Sequence, residues 1–179
     1  TGYFNLPKIL ELALHDGLDP RTGRQLGPRT GDPGDFATFD DLVAAWARQL
    51  RHFVDVKIRG NALIERTYAD AMPAPFLSLI TSDCIAKGMD YNEGGARYNT
   101  SYLQGVGIGT VTDSLAAIRS HVFEAGSLPM AELVAALDDD FEGRDALRQR
   151  LLNRSPKWGN DDAAADGVMQ HCDAHGVGV

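Results

Sequence analysis

The longest helical pattern in the sequence covers residues 38–72, between a capping motif and a pair of prolines. Thr38 and Asp41 have the spacing of a capping box, in which Asp41 takes the place of the usual Glu. Apolar residues follow at helical spacing until Pro73 and Pro75 end the pattern. A helix of this length is unusual in a small independent domain and normal in the helical shell of a large protein. The pattern therefore predicts a mainly α chain.

Shorter patterns predict further helices and one strand. The helices are expected over residues 4–14, 76–87, 113–123, 128–137 and 144–152, with Asp113 as the cap of the third and a last helix capped within residues 160–162. The best strand candidate is 102–108. The connection 16–36 is long for an unstructured loop, so we expect it to be functional or packed on a neighbour.

Composition excludes some classes of partner. The net charge is −8, from 25 acidic against 17 basic residues, which disfavours nucleic acid because phosphate binding needs a basic face. No apolar run approaches the roughly 20 residues of a membrane span. No signal segment follows Thr1, which predicts a cytoplasmic protein, and the missing initiator methionine suggests a piece of something larger.

The glycine-rich stretch GGARYNTSYLQGVGIGTVTDSL, residues 94–115, admits two interpretations. A glycine-rich turn before a helix can cradle phosphate, but the spacing here is G-x-G-x-G and no Walker lysine follows. The alternative is close backbone approach at a tight crossover. The polar residues between these glycines look enclosed, and they form either a paired structural network or a wall of a substrate cavity.

The cysteines and histidines predict no metal centre. Cys84 lies in an amphipathic pattern typical of a buried, inert thiol. His171 and His175, with Cys172 between them in sequence, could be presented on one helix face, but a closed zinc site needs four ligands and no second cluster exists.

Five motifs, in order, resemble those of the glycyl radical enzymes, the family of pyruvate formate-lyase and related dehydratases and lyases. They are TGYFNLPK (1–8), MPAPFLS (72–78), GGARYN (94–99), QGVG (104–107) with DSL (113–115), and PKWGNDD (156–162). The resemblance runs from Thr1 to about Met169, so 1–169 is expected to be an internal segment of the domain and 170–179 an atypical tail. Within the family, the sequences of these motifs are most similar to those of the trans-4-hydroxy-L-proline dehydratases. Pyruvate formate-lyase, glycerol and choline types remain alternatives.

The resemblance implies a fold and a mechanism. The family fold is a ten-stranded α/β barrel with a helical shell, to which this chain would supply mostly helices and one or two strands. A backbone glycyl radical, installed by a radical S-adenosylmethionine iron-sulfur activating enzyme, is passed to a cysteine whose thiyl takes hydrogen from a small-molecule substrate. The parent protein is expected to be a homodimer.

By the same resemblance, Tyr3 is the candidate substrate contact. Residues proposed to support the pocket are Asn5, Arg97, Tyr98, Asn99 and Gln104. The family's Gly-Cys-Val/Ile-Glu loop and radical-glycine loop are not in this sequence, and Cys84 lacks the Glu two positions later. The chain is therefore expected to be an internal fragment with no catalytic residue or bound cofactor of its own, inactive alone. The alternative from another class is a non-catalytic helical binding module.

Overall fold

The computed structural model describes residues 2–161 and 163–172, and the chain divides into two compact units. Among the described residues, the small unit comprises 2–3 and 54–104, and the large unit comprises 4–53, 105–161 and 163–172. One long helix contributes its first part to the large unit and its second part to the small unit.

The described chain is mostly helical. The helices are α1 (Leu6–Ala13), α2 (Phe39–Ala71), α3 (Pro75–Ile80), α4 (Cys84–Lys87), α5 (Ile108–Ile118), α6 (Met130–Asp138), α7 (Asp145–Arg154) and α8 (Ala163–Cys172). A 3₁₀ turn covers Pro33–Asp35, and a π-helical turn, Arg119–Glu124, continues α5. The strands are β1 (Gly2–Asn5), β2 (Leu18–Asp19), β3 (Arg24–Gln25) and β4 (Leu103–Val106). The strands form two two-stranded sheets, β1–β4 and an antiparallel β2–β3 hairpin.

The large unit contains the hydrophobic core. Helix α1 buries Leu6, Ile9 and Leu10, which recur at helical spacing, and packs against α5. Trp46 of α2 and Leu115 of α5 are fully buried in the same cluster. Burying an apolar side chain of this kind contributes about 1.5–3 kcal/mol, so the packing of these helices is the main source of order in this unit.

The small unit buries much less apolar surface. Among its described residues, only Cys84 and Ala96 are buried apolar residues, whereas Phe76 is 85% exposed and Ile80 is 83% exposed. Hydrogen bonds and the Arg97–Asp83 ion pair join its segments.

The main sequence predictions of fold are confirmed. Helix α2 begins at Phe39 and ends at Ala71, and β4 lies within the predicted strand. The capping box forms: the Thr38 amide and hydroxyl donate to the Asp41 carboxylate at 2.8 and 2.9 Å, and the Asp41 amide donates to the Thr38 hydroxyl at 3.3 Å. No helix among residues 2–161 and 163–172 is long and apolar enough to cross a membrane.

The long 16–36 connection is packed on its own unit. It contains the β2–β3 hairpin, and the Asp16 carboxylate accepts the amides of Thr30 and Gly31 at 2.5 and 2.8 Å. Gln49 of α2 donates to the Pro28 carbonyl at 2.7 Å. These contacts fit the expectation that the connection lies against neighbouring elements.

Several predicted helix boundaries were wrong. The predicted helix 76–87 is two helices, because Asp83 adopts a left-handed φ of 77° between them. The predicted helix from residue 4 starts later, since residues 2–5 form β1. Helix α6 begins at Met130, two residues after the predicted start. The predicted capping segment 160–162 includes Asp162, which lies outside the described residues, as do residues 173–179.

Asp113 does not cap a helix. Helix α5 begins at Ile108, where Gly107 adopts a left-handed φ of 87° between strand β4 and the helix. Asp113 is therefore one of the interior residues of α5, and its carboxylate is used elsewhere in the large unit.

Candidate functional site

The predicted substrate contact, Tyr3, lies on β1 in the small unit. The Gly2 amide donates to the Tyr102 carbonyl at 3.0 Å, next to the pairing of β1 with β4. Tyr3 is 69% exposed, and Gln104 of β4 is also exposed. The pairing thus brings the strands of these two candidates together and leaves both side chains accessible.

Asn5 has a local structural task. Its side-chain oxygen accepts the Lys8 amide at 3.2 Å and caps α1, whose second residue is Pro7. The carboxamide therefore fixes the direction in which α1 leaves β1. A role of Asn5 near substrate stays a prediction.

Arg97 is held by a two-pronged ion pair. Its Nε and Nη2 donate to the two carboxylate oxygens of Asp83 at 2.9 and 2.7 Å, and its amide donates to the Ser82 carbonyl at 3.1 Å. The Arg97 guanidinium lowers the pKa of Asp83 below its ordinary value. This pair stabilises the left-handed turn at Asp83, so the break between α3 and α4 depends on the glycine-rich segment.

The expectation of an enclosed polar network was wrong for the described chain. Residues 97–104 are all exposed, and Tyr98 is 87% exposed. Within the described chain, the small unit buries few apolar side chains, and its described segments leave these residues uncovered. The side chains of Tyr98 and Asn99 are thus exposed in the described chain, whereas the Arg97 side chain is held by Asp83.

Asp90 joins two of the motifs in the small unit, a function that the sequence did not reveal. Its carboxylate accepts the Ala74 amide at 2.9 Å and the Ser78 hydroxyl at 2.7 Å, and its carbonyl accepts the Gly95 amide at 2.9 Å. The hydrogen bonds to this carboxylate lower the pKa of Asp90 below its ordinary value, and the bond from the Ser78 hydroxyl has the largest effect. The Asn92 carboxamide also donates to the Met72 carbonyl at 2.6 Å. The only signal in the sequence is an Asx pattern in the turn before the glycine pair.

Asp113 joins two motifs in the large unit. Its carboxylate accepts the Trp158 amide at 2.7 Å and lies 3.7 Å from the Lys157 ammonium. The start of the PKWGNDD motif is thereby attached to α5.

Two glycines of the glycine-rich stretch allow other parts of the chain to approach the backbone closely, as the packing interpretation predicted. A Cβ on Gly95 would meet the carbonyl oxygens of Met89 and Asp90, and a Cβ on Gly107 would lie 2.7 Å from Pro7 Cδ. Although strand, glycine turn and helix follow in the order of a phosphate loop, the Pro7 ring packs against this turn. The geometry explains the glycines by packing.

The structure describes Cys84 and His171, two of the side chains in the predicted thiol and histidine features. Cys84 is 2% exposed at the start of α4. His171 Nε2 lies 2.6 Å from Asp40 Oδ1, and the His171 ring lies beside Phe39 at 5.9 Å between centroids. Across the described residues, no group of three or more His, Cys, Asp or Glu side chains could hold a metal ion. His175, the other half of the histidine pair, lies outside them.

The large unit also has a cavity of about 660 Å³, bordered by α1, α5, α6 and α7. Its walls are mainly apolar. Among its lining residues, His15 Nε2 lies 2.8 Å from Asp138 Oδ1 and His15 Nδ1 lies 2.7 Å from the Glu11 carbonyl oxygen. None of the predicted site residues lines it, so the cavity does not support their assignment.

Comparison with known proteins identifies the family. A family model described as pyruvate formate lyase-like matches residues 1–175. The chain belongs to the pyruvate formate-lyase-like family. It is 52% identical over 170 residues to a trans-4-hydroxy-L-proline dehydratase of Clostridioides difficile. The aligned residues cover 95% of this chain and 22% of the relative. The sequence-based resemblance to glycyl radical enzymes is therefore confirmed.

Solved structures in the family share the fold. The structure of a hydroxyproline dehydratase from Clostridioides difficile, with trans-4-hydroxy-L-proline bound, matches with a TM-score of 0.93 and 50% identity, covering 99% of this chain and 23% of that one. A glycerol-bound, B12-independent glycerol dehydratase from Clostridium butyricum matches with a TM-score of 0.89 and 34% identity, covering 96% and 22%. The chain thus corresponds to a helical part of the family's barrel enzymes and spans about a fifth of their length.

Proposed function

We propose that this chain is part of a glycyl radical dehydratase that eliminates water from a small hydroxylated substrate, with trans-4-hydroxy-L-proline as the candidate. The observation that carries the proposal is the 52% identity to the dehydratase of that name, against 34% to the glycerol dehydratase structure. The TM-score of 0.93 to a substrate-bound hydroxyproline dehydratase supports the same choice.

Within this proposal, the strand pair β1–β4 forms part of the wall of the substrate pocket. Tyr3 is the substrate contact, because its exposed ring carries both an apolar face and a hydroxyl. Residues proposed to support that wall are Asn5, Arg97, Tyr98, Asn99 and Gln104. Arg97 would do so through its ion pair with Asp83, which fixes the backbone ahead of Tyr98.

The radical chemistry would be supplied by a glycyl radical and a cysteine that are not among the residues of this chain. Cys84 does not fit the cysteine's role, since it is buried at the start of α4 and Ala86 stands at the second position after it, where the family has Glu. What this chain would contribute is binding surface and exclusion of water from reactive intermediates. We further propose an anaerobic, cytoplasmic parent enzyme that is a homodimer and is activated by a radical S-adenosylmethionine iron-sulfur enzyme.

The test is a substrate panel with the full-length protein that carries this segment. The protein is activated anaerobically and incubated separately with trans-4-hydroxy-L-proline, glycerol, choline and pyruvate, and substrate loss is followed by mass spectrometry. We expect dehydration of trans-4-hydroxy-L-proline and no turnover of pyruvate. Activation without loss of the hydroxyproline would contradict the proposed substrate.

A second candidate is dehydration of glycerol, favoured by the TM-score of 0.89 to a glycerol-bound dehydratase. Dehydration of glycerol with no action on hydroxyproline would establish this alternative.

A further inference from the structure

One face of α2 in the small unit carries Lys57, Asn61 and Glu65. The three residues are four positions apart, so successive turns of the helix place them one above the other on the same side. Elsewhere, α2 in the small unit carries both exposed apolar side chains, such as Leu63 and Ile64, and exposed charged ones.

The two ends of this face contact two different segments near the predicted substrate contact, Tyr3: one is the start of β1, and the other is the segment that leads into β4. Lys57 packs against Gly2, since a Cβ at Gly2 would meet the Lys57 side chain. The Ser101 hydroxyl donates a hydrogen bond to Glu65 Oε1. Because the Gly2 amide also donates to the Tyr102 carbonyl at 3.0 Å, the two flanking segments are tied to each other as well as to α2.

Asn61 lies between these two anchors. It is 7% exposed, and its Nδ2 has no hydrogen-bond partner within the part of the chain that the structure describes. A buried donor without a partner is costly, so an apolar residue of similar size would suit a purely structural position better.

We infer that the face formed by Lys57, Asn61 and Glu65 positions Tyr3 by holding Gly2 and Ser101 in place. The inference deepens the proposed function and rests on it. Lys57 supports Gly2, the residue before Tyr3. Glu65 holds Ser101, whose neighbour Tyr102 accepts the Gly2 amide. Displacing a substrate-positioning group by about 1 Å can lower a rate by about a hundredfold, so anchors outside the pocket can matter for turnover.

The first measurement is hydrogen exchange in the full-length protein that carries this segment. Glu65→Ala removes the acceptor of the Ser101 hydroxyl, whereas Glu65→Gln keeps an oxygen in the same place. We expect faster exchange of the Gly2 and Tyr3 amides in E65A and unaltered exchange in E65Q. Asp70→Ala is the matched control, since it removes another exposed acid from α2. Unaltered exchange in E65A would overturn the anchoring role whatever the activity.

The second measurement is steady-state kinetics of the same variants with trans-4-hydroxy-L-proline. We expect kcat to fall about tenfold in E65A with little change in KM, and E65Q to recover most of the loss. In a Tyr3→Ala background, E65A should have no further effect, because its influence passes through Tyr3. A loss that is equally large in both backgrounds would show general destabilisation and overturn the inference.

The two failures are distinguishable. If the unaltered protein consumes no hydroxyproline, the proposed substrate fails and the positioning role of this face in its reaction fails with it. If the unaltered protein is active and E65A behaves like D70A in both measurements, the proposed function stands and the inference alone is wrong.

Discussion

Gly107 lies between strand β4 and helix α5, and replacing it with alanine should be costly for two separate reasons. Its φ of 87° is left-handed, which costs an L-residue roughly 1–2 kcal/mol. The added Cβ would also lie 2.7 and 2.9 Å from Cδ and Cγ of Pro7, in a rigid ring within the first turn of α1. Overpacking of this kind typically costs about 1–3 kcal/mol. We therefore expect Gly107→Ala to lower the free energy of unfolding by about 2–5 kcal/mol.

Gly126→Ala separates the two contributions. Gly126 also has a left-handed φ, 55°, but no atom lies within 4 Å of the position of its Cβ. It should therefore lose only the conformational part, about 1–2 kcal/mol. The assay is urea unfolding followed by tryptophan fluorescence, because the chain's two tryptophans, Trp46 and Trp158, both belong to the large unit that contains these glycines.

The comparison of the two variants decides the matter. If G107A loses no more stability than G126A, the contact of the added Cβ with Pro7 costs no stability, and the packing explanation of this glycine is wrong. If G107A loses nothing at all, the left-handed turn between β4 and α5 is also refuted.

Two further predictions concern carboxylates of the large unit. Asp113→Ala removes the acceptor of the Trp158 amide and should lower the free energy of unfolding by about 1–2 kcal/mol, measured by the same urea assay. Ser114→Ala is the neighbouring control, since the half-buried Ser114 hydroxyl donates to the Thr110 carbonyl within the same helix and not to the PKWGNDD motif. The hydrogen bond from Lys8, at 2.6 Å, lowers the pKa of Asp19 to about 2. Because the pKa in the unfolded chain is about 3.9, this stabilisation is present above that pH and is lost as the pH falls toward about 2. Asp19→Asn should therefore flatten the acid side of the stability profile in this window, and a variant with an unchanged acid limb would contradict the role of the pair.

Local signals in the sequence predicted local structure well. The capping box of Thr38 and Asp41 and the proline pair predicted helix α2 to within one residue at each end, because both signals act on backbone groups a few positions away. The same kind of reasoning failed at Asp113. A local rule makes this aspartate a helix cap, but its carboxylate binds the amide of Trp158, 45 positions along the chain. No pattern of neighbouring residues encodes that partner.

The candidate site could be predicted less completely than the fold. Tyr3 and Gln104 come from segments that do adjoin in the β1–β4 sheet, but the enclosure expected around residues 97–104 is missing from the described chain. Polar residues between glycines look the same in a sequence whether they are covered or not. Burial depends on apolar side chains from distant segments, and the small unit has few that are buried.

The motifs that reveal the family are also the places where its segments are joined. Asp90 links the MPAPFLS and GGARYN segments in the small unit, and Asp113 links α5 to PKWGNDD in the large unit. Pairing of β1 with β4 links TGYFNLPK to QGVG. These motif residues use their hydrogen bonds to connect segments of the chain. A match to the family's motifs is therefore strong evidence for the fold and weak evidence for the substrate. Tyr3, the proposed substrate contact, is exposed, and we expect substrate preference to depend on side chains of this kind more than on the motif joints.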